Sequence, residues 1–276
     1  MQIGPYENNL QRAPRAQTGV ASGLMPGAEP FIYGAGEVGC LLVHGFTSTP
    51  FEMRGLGGYL AERGITASAP LLAGHGTAPE HLRDTTWNDW YTSVDRAIDE
   101  LRARCARVYV AGLSLGGALA LYAAARRGGD IAGVVAMSAP VYLPPALGMA
   151  LASFERTLPY LGKPFSDIED PRAREEHVSY RTSSLAAIAS LIEFLGPVRA
   201  SLPHIKVPAL VVYATHDHVV PWVSSYFIYS WIGTPTKRML ALHRGYHIMT
   251  VDTDREKLYR GVHQFIEEQE LMCRPS

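Results

Sequence analysis

The chain has 276 residues, of which 47% are hydrophobic, so it is long enough to bury a full core in one large domain or in a core with a modest insertion. Its formal net charge of −1 argues against a nucleic-acid partner, and Cys40, Cys105 and Cys273 fit neither a zinc pattern nor a disulfide framework. No secretory leader and no apolar run of roughly 18 residues is found, so the composition predicts a soluble, cytoplasmic protein without a transmembrane segment.

The first predicted element is an irregular arm over residues 1–27, rich in Gly, Pro, Asn and Gln. After it, short apolar runs alternate with helical patterns, which predicts the α/β class with a mostly parallel sheet flanked by helices. A short antiparallel edge strand is predicted over residues 31–33. The main strands are predicted over residues 38–44, 65–69, 107–111, 131–137, 209–214 and 237–242.

The alternation stops over residues 141–202, where no clear strand is predicted. Prolines and two amphipathic patterns, over residues 145–158 and 183–195, take its place. A strandless stretch of this length is more typical of an inserted helical cap than of a loop. We therefore predict a core of residues 28–140 and 203–276, with residues 141–202 inserted as a small helical cap.

The first amphipathic pattern carries an apolar stripe at helical spacing, formed by Leu147, Leu151, Phe154 and Leu158. A stripe on a helix inserted after a core strand can roof an apolar pocket that suits alkyl chains. It can equally pack against the second cap helix, because pockets and cores use the same residue types. The stripe is thus a candidate acyl pocket, and both interpretations stay open.

The strongest local signal for chemistry is the run Gly112-Leu113-Ser114-Leu115-Gly116. It follows an apolar strand and opens a helix rich in Ala and Leu, which is the context of a nucleophile elbow. In so sharp a turn, the residues two before and two after the serine must lack side chains to avoid collision. The N-terminal N–H groups of the helix favour negative charge beside the serine. Ser114 is therefore the predicted nucleophile.

A second signal lies at the end of an earlier strand, where His44 and Gly45 precede Phe46. Acyl transfer needs two N–H donors directed at the oxyanion. The backbone N–H of Leu115, directly after the nucleophile, is one candidate. The N–H of Phe46 is the other, with Gly45 permitting the bend, and His44 is interpreted as a structural histidine.

Two later strands are each followed by a candidate partner for Ser114. Asp217 comes after the predicted strand 209–214, and His247 comes after the predicted strand 237–242. Loops that leave parallel strands gather at the carboxyl edge of the sheet, so both side chains are expected near the serine. Asp217 is the predicted triad acid and His247 the predicted general base.

Other residues compete for these two roles. His243 is a rival base, four residues before His247. Asp252 and Asp254 are rival acids, although their position before a helix suits capping better. The neighbouring histidines match no zinc-ligand spacing, so no metal site is predicted.

Six stretches between about residue 28 and residue 268 carry further motifs. They are LLVHGFTSTP (41–50), PLLAGHGT (70–77), WNDW (87–90), GLSLGG (112–117), HDHVVP (216–221) and HIMTVD (247–252). With them the chain resembles the bacterial carboxylesterase and monoacylglycerol-lipase-like branch of the α/β-hydrolases. The resemblance implies the α/β-hydrolase fold and a helical lid inserted after Met137. It also implies the same triad and oxyanion donors: Ser114, Asp217, His247, Phe46 and Leu115.

Two positions depart from the pattern of this branch. Gly245-Tyr246 stands before the histidine where the branch usually has Ser-Gly, so Tyr246 is expected to alter the rim of the site. Ser48 replaces a glycine that is common in the oxyanion loop, which affects the expected flexibility of that loop.

The predicted function is a serine carboxylic-ester hydrolase that works through an acyl-enzyme and without a cofactor. Its predicted substrates are small to medium-chain acyl esters, with monoacylglycerols among the candidates. The same pocket also fits a peptidase, a lactonase, a thioesterase, an acyltransferase, a cofactor-free haloperoxidase, or a small-molecule receptor with little or no turnover. The sequence does not predict an oligomeric state.

Overall fold

A twisted sheet forms the centre of the fold. A computed structural model describes residues 23–142, 158–163 and 165–273. The strands in these ranges are β1 (Phe31–Tyr33), β2 (Val38–Val43), β3 (Ile65–Ala69), β4 (Arg107–Leu113), β5 (Gly133–Met137), β6 (Tyr160–Gly162), β7 (Thr182–Ser184), β8 (Ala209–Ala214) and β9 (Lys237–Leu242). Seven of these described strands form one sheet in the order β1-β3-β2-β4-β5-β8-β9. All its pairings are parallel except that of β1 with β3, which confirms the predicted mostly parallel sheet and its antiparallel edge strand.

The carboxyl ends of the strands position the candidate site. β4 runs to Leu113, two residues further than predicted, because its last residues still pair with β5. The next residue is Ser114. The loops that follow β8 and β9 hold Asp217 and His247. Because these strands are parallel, all three loops leave the same edge of the sheet.

Helices cover both faces of this sheet. The helices of the described residues are α1 (Arg54–Ala61), α2 (Pro79–Arg83), α3 (Trp87–Arg102), α4 (Leu115–Arg126), α5 (Pro171–Glu176), α6 (Leu185–Ser201), α7 (Trp222–Trp231) and α8 (Arg255–Cys273). On one face, α1 and α8 bury a cluster that includes Leu56 and Phe265. On the other, α3, α4 and α6 bury a cluster that includes Trp90 and Phe194. The core strands are therefore apolar on both faces, as expected for a parallel sheet.

The predicted cap segment, residues 141–202, contains two short strands that the sequence interpretation missed. β6 and β7 pair antiparallel as a separate two-stranded sheet. The expectation of a strandless segment was therefore wrong, because three-residue strands are too short to show a period of two. The predicted pattern over 183–195 does form a helix, α6, which begins after the N-cap residue Ser184 and runs to Ser201.

The position of α6 bears on the predicted division into core and cap. Its side chains Phe194 and Val198 are fully buried in the same hydrophobic cluster as α3 and α4. Trp87 of α3 stacks on Phe194 at a ring-centroid distance of 5.0 Å. The second half of the segment thus packs directly on the core helices. The division at residues 141 and 202 itself stays a prediction.

Most of the candidate acyl stripe lies outside the described residues. This applies to Leu147, Leu151 and Phe154. Leu158 is described, and it is 51% exposed. The N-terminal arm, predicted over residues 1–27, is described only from Gly23 onward.

One helical stretch in the described part of the chain is long and apolar enough to cross a membrane. It spans Leu185–His204, with a mean hydropathy of 1.5, and the sequence interpretation overlooked it. In the structure 44% of an 18-residue window within this stretch is buried, and α6 packs on α3 and α4. Such packing is typical of a core helix.

Candidate active site

Ser114 lies at the sharp turn between β4 and α4. Its backbone has φ 55° and ψ −119°, a combination that residues with side chains rarely adopt. The Ser114 N–H donates to the Met137 carbonyl at 2.8 Å, and the Ala118 N–H donates to the Ser114 carbonyl at 3.0 Å. The strand–turn–helix context that the motif predicts is present, with the strained serine held by backbone hydrogen bonds on both sides.

The flanking glycines allow the strand and the helix to approach each other. A Cβ on Gly112 would lie 2.0 Å from the Gly116 carbonyl oxygen. A Cβ on Gly116 would lie 2.1 Å from the carbonyl oxygen of Val43 in β2. Both distances are far inside van der Waals contact with rigid backbone, so neither position can carry a side chain without moving the turn.

Asp217 and His247 are joined across the loops after β8 and β9. The Asp217 Oδ2 lies 2.8 Å from the His247 Nδ1, and the two side chains are only 1% and 5% exposed. The other carboxylate oxygen of Asp217 accepts the N–H groups of Val219 at 2.9 Å and Val220 at 2.8 Å. The carboxylate is thereby fixed in its own loop and faces the imidazole.

The charge state of Asp217 follows from these contacts. Burial alone would raise the pKa of the carboxyl group. The hydrogen bond and charge of His247, together with the Val220 N–H, outweigh burial and hold the pKa below its ordinary value. Asp217 is therefore an ionised hydrogen-bond acceptor that orients His247 with the proton on Nδ1, leaving Nε2 as the basic nitrogen.

In the structure the rival residues make other contacts. His243 is exposed, and its N–H donates to Asp254 at 3.0 Å. Asp252 is fully buried and accepts the N–H groups of Tyr246 at 2.7 Å and Glu169 at 2.8 Å. Both aspartates hold loop backbone. Within the described ranges, no three His, Cys, Asp or Glu side chains are grouped so that they could hold a metal ion.

Asp167 forms hydrogen bonds with the loop that carries His247, and the sequence interpretation missed it. Its Oδ2 accepts the backbone N–H of His247 at 3.2 Å and that of His218 at 3.1 Å, and its Oδ1 lies 2.8 Å from the His218 Nδ1. The ring of Tyr246, one of the two departures from the branch pattern, packs edge-on against His218 at 4.6 Å. Asp167 is 80 residues away from His247 in the chain, and no local motif marks it.

The loop after β2 is held by His44. The Leu72 N–H donates to the His44 Nε2 at 3.1 Å, so the ring proton is on Nδ1, which donates to the Gly45 carbonyl at 3.0 Å. Burial lowers the pKa of His44 and keeps the ring neutral. These contacts agree with a structural role for His44. Because a trans peptide directs its N–H opposite its C=O, the Phe46 N–H points away from the His44 ring.

A buried carboxylate, Glu52, lies behind the same loop and was also missed. Its Oε1 accepts the Gly45 N–H at 2.6 Å, and its Oε2 accepts the Ser48 hydroxyl at 2.5 Å. The His177 Nε2 lies 3.2 Å from the Glu52 Oε2. Ser48, the second departure from the branch pattern, therefore adds a hydrogen-bond donor to the loop. An acidic residue eight positions after a predicted loop histidine was the only signal in the sequence, and His177 is 125 residues further on.

A cavity of about 460 Å³ lies over Ser114 and His247. Its polar lining residues are Thr47, Ser48, Glu52, Lys163, Asp167, Ser183, His218 and Ser224, and its apolar ones include Phe46, Pro140, Tyr142, Phe165, Leu191, Val220 and Ile248. The Lys163 Nζ donates to the Thr47 hydroxyl at 3.1 Å. The cavity thus combines an apolar wall with a cation close to the loop of Gly45 and Phe46.

Comparison with known proteins places these features in context. Residues 37–254 match the protein family described as serine aminopeptidase, S33. The chain is 37% identical over 232 residues to the thermostable monoacylglycerol lipase of Bacillus sp. (strain H-257), covering 84% of this chain and 91% of that protein. It is 30% identical over 243 residues to the carboxylesterase of Bacillus subtilis (strain 168), covering 87% and 96%.

A solved structure shows the same similarity in three dimensions. It comes from work on the metagenome-derived lipolytic enzymes LipS and LipT and is 34% identical in sequence. The superposition has a TM-score of 0.84 and covers 89% of this chain and 99% of that chain.

Proposed function

The chain belongs to the serine aminopeptidase S33 family and is a serine ester hydrolase with the α/β-hydrolase fold, and from this premise we propose that Ser114, Asp217 and His247 are its catalytic triad. The predicted branch resemblance, fold class and enzyme class are confirmed. The observation that carries the triad is the 2.8 Å contact between Asp217 and His247, in a cavity that Ser114 borders.

The proposed reaction is two-step acyl transfer. The His247 Nε2 takes the hydroxyl proton of Ser114 while the serine Oγ attacks the ester carbonyl carbon, and the carbonyl oxygen becomes an oxyanion. The C–O bond to the alcohol then breaks, and protonated His247 gives its proton to the leaving oxygen. Water attacks the acyl-enzyme and gives a proton to His247. The bond between the acyl carbon and the Ser114 Oγ then breaks, His247 returns the proton to that Oγ, and the acid leaves. Asp217 stays ionised throughout and stabilises the charged imidazole.

The proposed oxyanion hole consists of the backbone N–H groups of Phe46 and Leu115. Leu115 is the first residue of α4, and the first N–H groups of a helix have no acceptor within the helix. The ring of Phe46 packs edge-on against Trp90 at 5.7 Å, which anchors its residue to α3. Two such donors stabilise the charge that develops in the transition state.

We propose amphiphilic acyl esters, monoacylglycerols among them, as the substrate class. The names of the two curated relatives support this class, and so does the division of the cavity into an apolar wall and a polar end. Tyr142 and Leu191 belong to the wall, where burial of each methylene of an acyl chain contributes about 0.8 kcal/mol. Lys163, with two further N–H groups besides the one directed at Thr47, is placed to donate to hydroxyl groups of the alcohol.

Two further parts of the proposal concern the cap and the compartment. We infer that residues 141–202 are the cap, from which Tyr142, Lys163 and Leu191 line the cavity, while α6 packs on the core helices. The candidate acyl residues Leu147, Leu151 and Phe154 lie outside the described residues, and Leu158 is not among the described residues that line the cavity. The free thiols Cys40 and Cys105 support a cytoplasmic location.

The experiment that tests this function compares three substrate classes on the purified enzyme. Monoacylglycerols and p-nitrophenyl esters of rising chain length are expected to give multiple turnovers, and an aminoacyl amide is expected to be a poor substrate. Lys163→Met is expected to lower kcat/KM several-fold more for the monoacylglycerol than for the p-nitrophenyl ester. Preferred cleavage of the amide would overturn the ester assignment, and equal losses on both esters would remove Lys163 from the alcohol site.

A further inference from the structure

The oxyanion loop, defined as residues 44–49, contains Gly45, whose backbone conformation is held by hydrogen bonds from other residues. Gly45 has no side chain, so its φ and ψ are intrinsically free. Its carbonyl accepts the His44 Nδ1–H at 3.0 Å and the Ser48 N–H at 3.2 Å. Its N–H donates to the Glu52 Oε1 at 2.6 Å. The two peptide planes on either side of the Gly45 Cα are therefore both held, and the second of them carries the Phe46 N–H.

Glu52 is unusual because its charge has no access to solvent. The side chain is 0% exposed, and so is that of His177. Burial alone would raise the pKa of the carboxyl group, but the hydrogen bond and charge of His177 and the Ser48 hydroxyl lower it to about 2. An ionised carboxylate is tolerated in such a place only when its oxygens are well supplied with donors.

The donors come from two distant parts of the chain. Ser48 belongs to the oxyanion loop itself, whereas His177 follows α5 in the predicted cap segment. The His177 Nδ1 lies 2.6 Å from the Ser166 hydroxyl, which fixes the ring from its other side. The remaining titratable groups that interact with Glu52 are His44, His75 and Lys163.

Further hydrogen bonds connect the same two parts. The Tyr180 N–H donates to the Thr47 carbonyl at 2.9 Å, and the Thr49 hydroxyl donates to the Val178 carbonyl at 2.9 Å. The Ser48 Oγ also lies 3.1 Å from the His177 Nε2, so residues 177–180 lie along the oxyanion loop and contact it at three points. The loop cannot take its observed shape independently of this segment.

We infer that Glu52 and His177 are positioning residues that set the Gly45–Phe46 peptide for oxyanion stabilisation and so couple the cap segment to the oxyanion hole. The inference rests on the oxyanion role proposed above for Phe46. Neither side chain has to touch the substrate. Glu52 acts through the Gly45 N–H, and His177 acts by keeping Glu52 charged and in place.

The first test replaces Glu52 with glutamine and alanine. Loss of one oxyanion donor typically costs on the order of 10²–10³ in kcat. We expect a loss of this order in Glu52→Ala with a change in KM of less than about threefold, because the ground-state carbonyl depends little on these donors. Glu52→Gln is expected to recover part of the loss, since its amide oxygen still accepts the Gly45 N–H. Glu62→Gln, at an exposed glutamate, is the matched control and is expected to leave kcat unchanged.

A pair of substrates, an ester and its thionoester, distinguishes a positioning role of Glu52 from a loss of protein stability in the variant. A thionoester places sulfur, a larger and weaker acceptor, where the oxyanion forms. The preference for the oxygen ester over the thionoester is therefore expected to shrink about tenfold in Glu52→Gln and to stay constant in Glu62→Gln. A variant that merely unfolds in part would lose both activities in proportion. If Glu52→Ala fails to fold, Glu52→Gln still gives this ratio, and an unchanged ratio would overturn the inference.

The second test uses His177→Ala and pH. Without His177 the pKa of Glu52 is expected to rise, so its carboxylate is progressively lost as the pH falls. The ratio of variant to wild-type kcat should therefore decrease from about pH 8 to about pH 5, because any pH dependence that the two proteins share cancels in the ratio. A ratio that does not vary with pH would contradict the role of His177.

Ser114→Ala distinguishes a failure of the proposed triad from a failure of the proposed positioning role. Full activity in Ser114→Ala would refute the triad, whereas normal kcat in Glu52→Gln would refute only the positioning role of Glu52.

Discussion

Asp217 and His247 are held 2.8 Å apart, although each follows a different strand and 30 residues separate them in the chain. The pairing is made possible by the parallel register of β8 and β9, which ends both strands at the same edge of the sheet. Because Asp217 also accepts two N–H groups of its own loop, the imidazole cannot turn without breaking a buried, charge-assisted hydrogen bond. The proposed mechanism depends on this orientation.

Replacing Asp217 with asparagine tests the orientation directly. Asparagine keeps the size of the side chain but stabilises the wrong tautomer of His247, which reduces kcat by about 10⁴ in comparable triads. We expect such a loss with KM little changed, and a smaller loss than in Ser114→Ala. Steady-state kinetics on a p-nitrophenyl ester measures it. A kcat within threefold of the wild type would show that Asp217 is not the triad acid.

The choice between two histidines gives a second prediction. His247→Ala should approach the loss seen in Ser114→Ala, because both groups act in the same proton transfer. His243→Ala should retain nearly full activity, since His243 is exposed and contributes a backbone N–H to the loop. The two variants serve as controls for each other. If His243→Ala were the inactive one, the base would have to be reassigned.

The sequence predicts best the features that depend on neighbouring residues. The elbow around Ser114 is a local motif, and the strands over residues 65–69, 209–214 and 237–242 have the predicted bounds because their apolar runs end sharply. The positions of Asp217 and His247 follow once those strands are known to be parallel. Folding, however, also brings residues into contact that are far apart in the chain and share no sequence motif.

The features that were missed arise from such distant contacts. Glu52 meets His177 across 125 residues, and Asp167 meets His247 across 80. These pairs show no periodicity, and each partner alone resembles an ordinary surface residue. β6 and β7 have three residues each, too few for an alternating pattern. Glu193 and Arg199 interrupt the apolar sequence of α6, so its high mean hydropathy was not recognised from the sequence.

The elbow glycines give a prediction about stability. Gly116→Ala would place a Cβ 2.1 Å from the Val43 carbonyl oxygen, so β2 and α4 would have to separate. We expect a loss of several kcal/mol in unfolding free energy, in the range of severe overpacking, together with loss of activity. Gly58→Ala in α1 is the control, because a Cβ there meets nothing within 4 Å. That variant should gain about 0.5–1 kcal/mol, and chemical denaturation of both measures the contrast.

The candidate acyl pocket gives a prediction about chain-length preference. If Phe154 lines the pocket, Phe154→Ala should shift the ratio of kcat/KM between short and medium acyl esters several-fold while the Tm hardly moves. Leu158→Ala, at an exposed position of the same stripe, should leave the ratio unchanged. A uniform loss across all chain lengths with a lower Tm would mean that the stripe packs within the cap, and the acyl assignment would be withdrawn.

The measurement that bears most directly on the central claim is the site at which a fluorophosphonate probe attaches. A triad serine is the group that such a probe phosphonylates, because its Oγ is activated by the neighbouring imidazole. Peptide mapping by mass spectrometry after reaction with the wild-type protein should find a single adduct, on Ser114. Labelling should be absent in Ser114→Ala and greatly slowed in His247→Ala. An adduct on a different serine, or undiminished labelling of Ser114→Ala, would contradict the assignment of Ser114 as the nucleophile.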